Sequence, residues 1–152
     1  MNTFNVIKAG SEKKAHETFN KIPISAESPF VGTGDIADWR LAMCAMETIE
    51  GSNRAVAMKN PSVLQMMTPV YYNIYQVTFD VNNTSSETAK LALLYSTDGG
   101  NKWVNAKTST GLTSLSVLKT SSYVTYWTVE LTNDKPVMFR ITMTGGSKTA
   151  PC

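Results

Sequence analysis

Four carboxylates lie close together in the first third of this 152-residue chain, Asp35, Asp38, Glu47 and Glu50. Glycoside hydrolysis needs two acids at a defined gap in one cleft. These four instead surround a single strand-like run, residues 39–46, which reads as loop and edge placement in solvent. The one histidine, His16, sits beside Glu17 in a polar segment. No Ser, Cys or Asp stands at a spacing that would make it the base of a nucleophile pair, so it reads as a solvated surface residue. Gly32-Thr33-Gly34-Asp35 lacks the Lys-Ser or Lys-Thr of a phosphate loop and no helix is indicated after it. The two cysteines, Cys44 and Cys152, are too few for a disulfide framework or a zinc knuckle. Cys44, inside an apolar run, reads as a buried free thiol. Nothing here assembles a catalytic centre, and the chain is read as a non-enzyme.

Binding chemistry is better represented. Carbohydrate recognition uses flat aromatic faces against the C–H side of a pyranose and planar polar side chains against its hydroxyls. Side chains alternate between faces along a strand. On the run 123–131, Trp127 therefore points to the core and Tyr126 to solvent. Arg140 likewise opposes Phe139, and Gln76, Thr78 and Asp80 oppose Val77 and Phe79. If these strands are neighbours, Tyr126, Arg140, Gln76 and Asp80 share one polar sheet face able to cradle a glycan; the plainer alternative is an ordinary wetted sheet face. Tyr71-Tyr72 follows Thr68-Pro69 in a turn, where one ring is expected to pack and one to be displayed, and Tyr72 joins the candidate ligand-binding set. The eight methionines read as core filler.

Strands must position these groups. The clearest is 75–82, with Tyr75, Val77, Phe79 and Val81 on one face and Gln76, Thr78, Asp80 and Asn82 on the other, the period of a half-buried antiparallel strand. Residues 136–143 and 123–131 repeat the pattern. Further strands are expected at 39–46, 54–59, 62–67, 90–95, 102–106 and 112–118. Turn chemistry separates them, including Glu50-Gly51-Ser52-Asn53, Asn60-Pro61 and Thr132-Asn133-Asp134-Lys135. Residues 11–20 are the one helix candidate, stopped by Pro23, although Thr18-Phe19-Asn20 equally suits the start of a strand. About nine short strands with regular turns predict an all-β antiparallel sandwich or barrel, and the sandwich is the architecture expected. The division expected is an N-terminal extension or linker over 1–16 and a β-sandwich domain over 17–152.

Composition excludes other classes. A formal net charge of +2 from 14 basic and 12 acidic residues is too weak and scattered for a nucleic-acid stripe. No apolar run approaches the ~20 residues that span a bilayer, so no membrane insertion is expected. The amino terminus has no basic region followed by an apolar one.

The most specific segment is Ser96-Thr97-Asp98-Gly99-Gly100-Asn101-Lys102-Trp103. Its Ser and Asp can bond turn amides, two glycines permit positive φ, and the Trp can fold back as an apolar lid. The segment resembles an Asp-box hairpin. Sialidases and related propeller glycosidases carry that motif in several blades and clamp a carboxylate with clustered arginines. This chain has one copy, and its arginines are Arg40, Arg54 and Arg140.

Taken with Glu17-Thr18-Phe19-Asn20, Asp38-Trp39 and Gly51-Ser52-Asn53-Arg54-Ala55-Val56, the order of features resembles the jelly-roll modules of secreted and surface proteins of Bacteroidetes-type bacteria. Those modules are relatives in shape of carbohydrate-binding modules and concanavalin-like lectins. The resemblance implies a non-catalytic, carbohydrate-binding-like accessory domain of a secreted or cell-surface protein, with a glycan or polysaccharide as partner. A structural or protein-interaction module, in a surface assembly or phage virion, is the alternative, with a protein partner at an open sheet edge. In related modules an opening and a closing acid help hold a structural calcium, and the transfer here reaches only Glu17. Their closing strand with its acidic pair is not matched before Ala150-Pro151-Cys152, so the domain is expected to lack that strand or to fill its place with another segment.

Overall fold

The computed structural model describes residues 1, 3–8, 14–23, 30–49, 53–83, 87–118, 121–130 and 132–145. The described residues form no helix. Their strands are β1 (Phe4–Lys8), β2 (Lys14–Glu17), β3 (Phe30–Thr33), β4 (Asp38–Thr48), β5 (Arg54–Met66), β6 (Ile74–Asn82), β7 (Ala89–Ser96), β8 (Val104–Asn105), β9 (Lys107–Thr108), β10 (Leu115–Val117), β11 (Ser122–Thr128) and β12 (Met138–Gly145). All ladders are antiparallel. One sheet has five strands in the order β2-β1-β6-β11-β9. The other has seven, in the order β10-β7-β12-β5-β4-β3 with β8 also on β7. After β5 each long strand changes sheet, β6 to one, β7 to the other, then β11 and β12 in turn. This is jelly-roll wrapping of an all-β sandwich.

Alternation explains the dry layer between the sheets. Val77, Phe79 and Val81 from β6, Thr125 and Trp127 from β11, and Phe139, Ile141 and Met143 from β12 are all buried. At the centre, Phe4 meets Trp39 edge-on at 5.3 Å and Phe139 at 5.6 Å, and stacks with Phe79 at 6.2 Å. Phe4 thus touches rings of both sheets, and burying such a side chain contributes roughly 1.5–3 kcal/mol. Phe79 also stacks with Trp127 at 5.9 Å. Cys44 is a buried free thiol whose burial pushes its pKa up to about 11; Cys152 lies outside the described residues.

Several local expectations are corrected. Residues 4–8 and 14–16, expected in an extension, lie in β1 and β2, and β1 lies beside β6 inside the five-stranded sheet. The helix candidate over 11–20 is replaced at 14–17 by β2, and residues 18–20 lie in neither a helix nor a strand; 11–13 lie outside the described residues. Asn60-Pro61 is no turn, since β5 runs through it. The β4 register jumps there from Ala42↔Val63 to Cys44↔Met58, with Met43 at φ 58°. Pro61 thus sits in a bulge where the ladder is interrupted, the place a strand tolerates proline. Tyr75, expected in the core, is exposed because the β1–β6 register shifts from Ile7↔Gln76 to Lys8↔Ile74. That shift puts Ile74 inside in its place. Tyr123 is exposed as well, at the end of β11.

Candidate functional site

The register lays out the outer face of the five-stranded sheet in rows. One row reads His16, Asn5, Thr78, Tyr126 across β2, β1, β6 and β11. The next reads Ile7, Gln76, Thr128, Lys107 across β1, β6, β11 and β9. Within the first row the side chains are joined: His16 Nδ1 bonds Asn5 Oδ1, and Asn5 Nδ2 donates to Thr78 Oγ1 at 3.3 Å. Beside this amide and hydroxyl stands Tyr126, 53% exposed. Strand spacing of about 4.8 Å sets successive members of a row apart. Asn5 itself is buried, so what the face offers is the open Tyr126 ring next to the Thr78 and Thr128 hydroxyls and the Gln76 amide, the combination that holds an uncharged polyhydroxyl ligand.

Of the candidate residues, Tyr126, Gln76 and Asp80 share this face, since β6 and β11 are neighbours. Asp80 is committed in part to the chain's own backbone: its Oδ1 accepts from Thr3 N at 2.9 Å and Thr3 Oγ1 at 3.0 Å. Tyr72 lies in the connection between β5 and β6, half-buried, with Lys8 Nζ 3.8 Å from its ring centroid. Its neighbour Tyr71 is the displayed ring of the pair. Arg140 is on the other sheet. It belongs to β12, which pairs with β5 and β7, because the chain crosses over between β11 and β12. Its Nε donates to Gln65 Oε1 at 2.9 Å, and its guanidinium lies 4.0 Å over the Trp103 ring. Partial burial pulls the Arg140 pKa below its ordinary value.

Asn5, His16, Thr78 and Thr128 complete the first face. Thr78 was legible from the alternation of β6, whereas Asn5 and His16 needed the strand partners of β1 and β2.

Glu17 has a structural task. Its side chain is fully buried at the end of β2. Oε2 accepts from Asp35 N at 2.7 Å and Phe19 N at 3.1 Å, while Oε1 accepts from Trp39 Nε1 at 2.6 Å and Ile36 N at 3.3 Å. Trp39 and the loop before it belong to the seven-stranded sheet, so one carboxylate ties the two sheets together. Gly34 permits the approach, because a Cβ there would lie 2.2 Å from Oε1. The same bonds hold Phe19 at φ 61°, a left-handed conformation that a bulky residue keeps only when its surroundings enforce it. Four N–H donors fill the acceptor directions a cation would use, so this donor set does not fit calcium. Among the described residues no group of three or more His, Cys, Asp or Glu could hold a metal ion. Next to Glu17, burial pushes the Asp35 carboxyl up, but hydrogen bonds from Thr18 and the charge of Lys21, 3.7 Å away, prevail and hold it below its usual value.

The 96–103 turn has the geometry its residues imply. Ser96 Oγ accepts from Gly100 N at 2.9 Å, and Asp98 Oδ1 accepts from Lys102 N at 2.9 Å, Asn101 N at 3.1 Å and Ser96 Oγ at 2.8 Å. Gly99 and Gly100 take φ of 79° and 93°. Trp103 folds back, its Nε1 donating to Gly100 O at 3.0 Å. Bonds from Lys102 N and Ser96 lower the Asp98 pKa. Comparison of the chain with protein-family models, curated proteins and solved structures found no match.

Proposed function

We propose that this chain is a non-catalytic carbohydrate-binding β-sandwich, an accessory domain of a secreted or cell-surface protein, and that it holds a glycan on the outer face of its five-stranded sheet. The observation that carries the reading is Tyr126, an open ring beside the hydrogen-bonded row His16, Asn5, Thr78. The ring takes the apolar face of a pyranose; Thr78, Gln76 and Thr128 serve its hydroxyls, while the buried Asn5 amide fixes Thr78 from beneath. The Asp-box-like turn and the jelly-roll wrapping agree with such modules. Arg140 has no part in this face.

Sugar binding of this kind is weak and depends on the aromatic contact. On a glycan array, the wild type binds a neutral oligosaccharide, Tyr126→Ala binds it about tenfold more weakly, equivalent to ~1.4 kcal/mol, and Arg140→Ala binds it as the wild type does. No binding to any glycan, or equal binding by Tyr126→Ala, would overturn the reading.

A protein-interaction module is favoured by one observation, the seven-stranded sheet's outer face, where Val31, Met43, Met67 and Val104 are exposed around half-buried Ala42, Val63, Ala92 and Leu94. Such a face suits side-on docking. The edge strands β2, β3, β9 and β10 are four residues or fewer, which blunts strand addition at the edges.

A further inference from the structure

The register of the seven-stranded sheet brings together two arginines that lie far apart in sequence. Its central outer row reads Val31, Arg40, Gln65, Arg140, Leu94 across β3, β4, β5, β12 and β7. Arg40 and Arg140 flank Gln65, two strand spacings or about 10 Å apart. Neither guanidinium makes an ion pair within 4.0 Å among the described residues, where the one ion pair is Lys21–Asp35. Asp38, two residues before Arg40 and on the same face of β4, pairs with neither. The adjacent row is Ala42, Val63, Thr142 and Ala92, small side chains that leave the charged groups standing above a low floor.

Arg140 is also held in place from below. Its Nε is fixed on Gln65, its plane lies on Trp103, and Trp103 is in turn anchored by Nε1 on Gly100 O. The remaining Nη donors are the part of the fork that binds oxyanions. A guanidinium presents parallel N–H groups that match a carboxylate bidentately, and a half-buried, immobilised fork loses little freedom on binding. Two like charges in one row, neither of them in an ion pair among the described residues, raise the positive potential at Gln65 and are relieved when an anion arrives.

We propose that Arg40, Gln65 and Arg140 form a binding site for the carboxylate of an acidic sugar, on the sheet opposite the Tyr126 face. Arg140 grips the carboxylate, Arg40 supplies the second positive charge, and Gln65 orients Arg140 through its Oε1. The anion site rests on the arginines alone; the choice of a sugar acid as the carrier rests on the glycan reading above.

The test titrates the full chain with oligogalacturonate, with its methyl ester as a neutral isostere, and with poly-glutamate. Trp103 is the reporter, since Trp39 and Trp127 are fully buried and only Trp103 lies under Arg140. Oligogalacturonate is expected to change Trp103 fluorescence, with an affinity that falls as salt rises, and the methyl ester is not. Arg140→Lys keeps the charge and loses the fork, and is expected to bind about tenfold more weakly. Arg40→Gln weakens the Trp103 response in the same direction. Thermal melts of each variant establish that the loss is not unfolding. An equal Trp103 response to the ester, or an undiminished response in Arg140→Lys and Arg40→Gln, would overturn the site. Binding of poly-glutamate in preference to oligogalacturonate would overturn the sugar assignment. Loss of neutral-glycan binding in Tyr126→Ala, scored separately, reports on the other face alone.

Discussion

The two outer faces of this sandwich share one inner core and differ in almost everything else. The five-stranded sheet shows solvent a histidine, hydroxyls, the Gln76 amide and the open ring of Tyr126, set out in cross-strand rows. The seven-stranded sheet shows small aliphatic side chains, with two arginines in a row and a tryptophan beneath one of them. Tyr126 and Arg140 illustrate the lesson. Each stands next to a buried aromatic, Trp127 or Phe139, and each points outward by the same alternation. They face opposite directions because the chain changes sheet between β11 and β12. Alternation decides inside from outside; connectivity decides which outside.

The largest effect should come from removing what both faces lean on. Phe4→Ala deletes a ring in contact with Trp39, Phe79 and Phe139, and a cavity there costs about 3–5 kcal/mol. Denaturant unfolding should show the loss, and ligand binding at either face should weaken in proportion to the unfolded fraction. A cost below about 1 kcal/mol would mean that β1 is peripheral.

Next is the tie between the sheets. Glu17→Gln keeps one acceptor oxygen but turns an amide donor toward N–H groups that need an acceptor. A buried group left unsatisfied costs roughly 1–3 kcal/mol, so a destabilisation of about 3 kcal/mol is expected. Chelation tests the calcium alternative: a wild-type melting temperature that drops on chelation would contradict an all-N–H donor set.

The smallest effect is local to one face. Asp98 organises the turn that positions Trp103 and, through it, Arg140. Its folded-state pKa is depressed below 3.8, so its stabilisation is present above that value and is lost as pH falls through the lower folded-state value. Asp98→Asn should melt earlier than the wild type at pH 7, and the two should converge in acid well below pH 3.8. A difference that persists unchanged in acid would assign the effect to something other than the carboxylate.

Much of this architecture was legible from residue order. The outward set of β6, the inward set of β12 and the 96–103 turn follow from period-2 alternation and turn chemistry, which are local. What escaped is non-local. In Phe4-Asn5-Val6-Ile7-Lys8 the apolar–polar alternation lasts three residues before Ile7 breaks it, yet the segment fills the place beside β6 and sets Asn5 under the candidate site. Asn60-Pro61 has the composition of a turn, and only the bulge opposite Met43 lets a strand run through it. Glu17 carried a cation reading by resemblance, while its N–H partners come from a loop that only the fold brings near. Placing Arg140 beside Tyr126 required the two strands to be neighbours, which alternation alone does not specify.

The central claim is that the five-stranded sheet, not the seven-stranded one, holds a neutral glycan. Amide chemical-shift mapping with the best neutral oligosaccharide from the array tests it directly. Perturbations gathered on Asn5, Thr78, Tyr126 and Thr128 are the predicted result. Perturbations gathered on Arg40, Gln65 and Thr142, or absent throughout at saturating sugar, would contradict it.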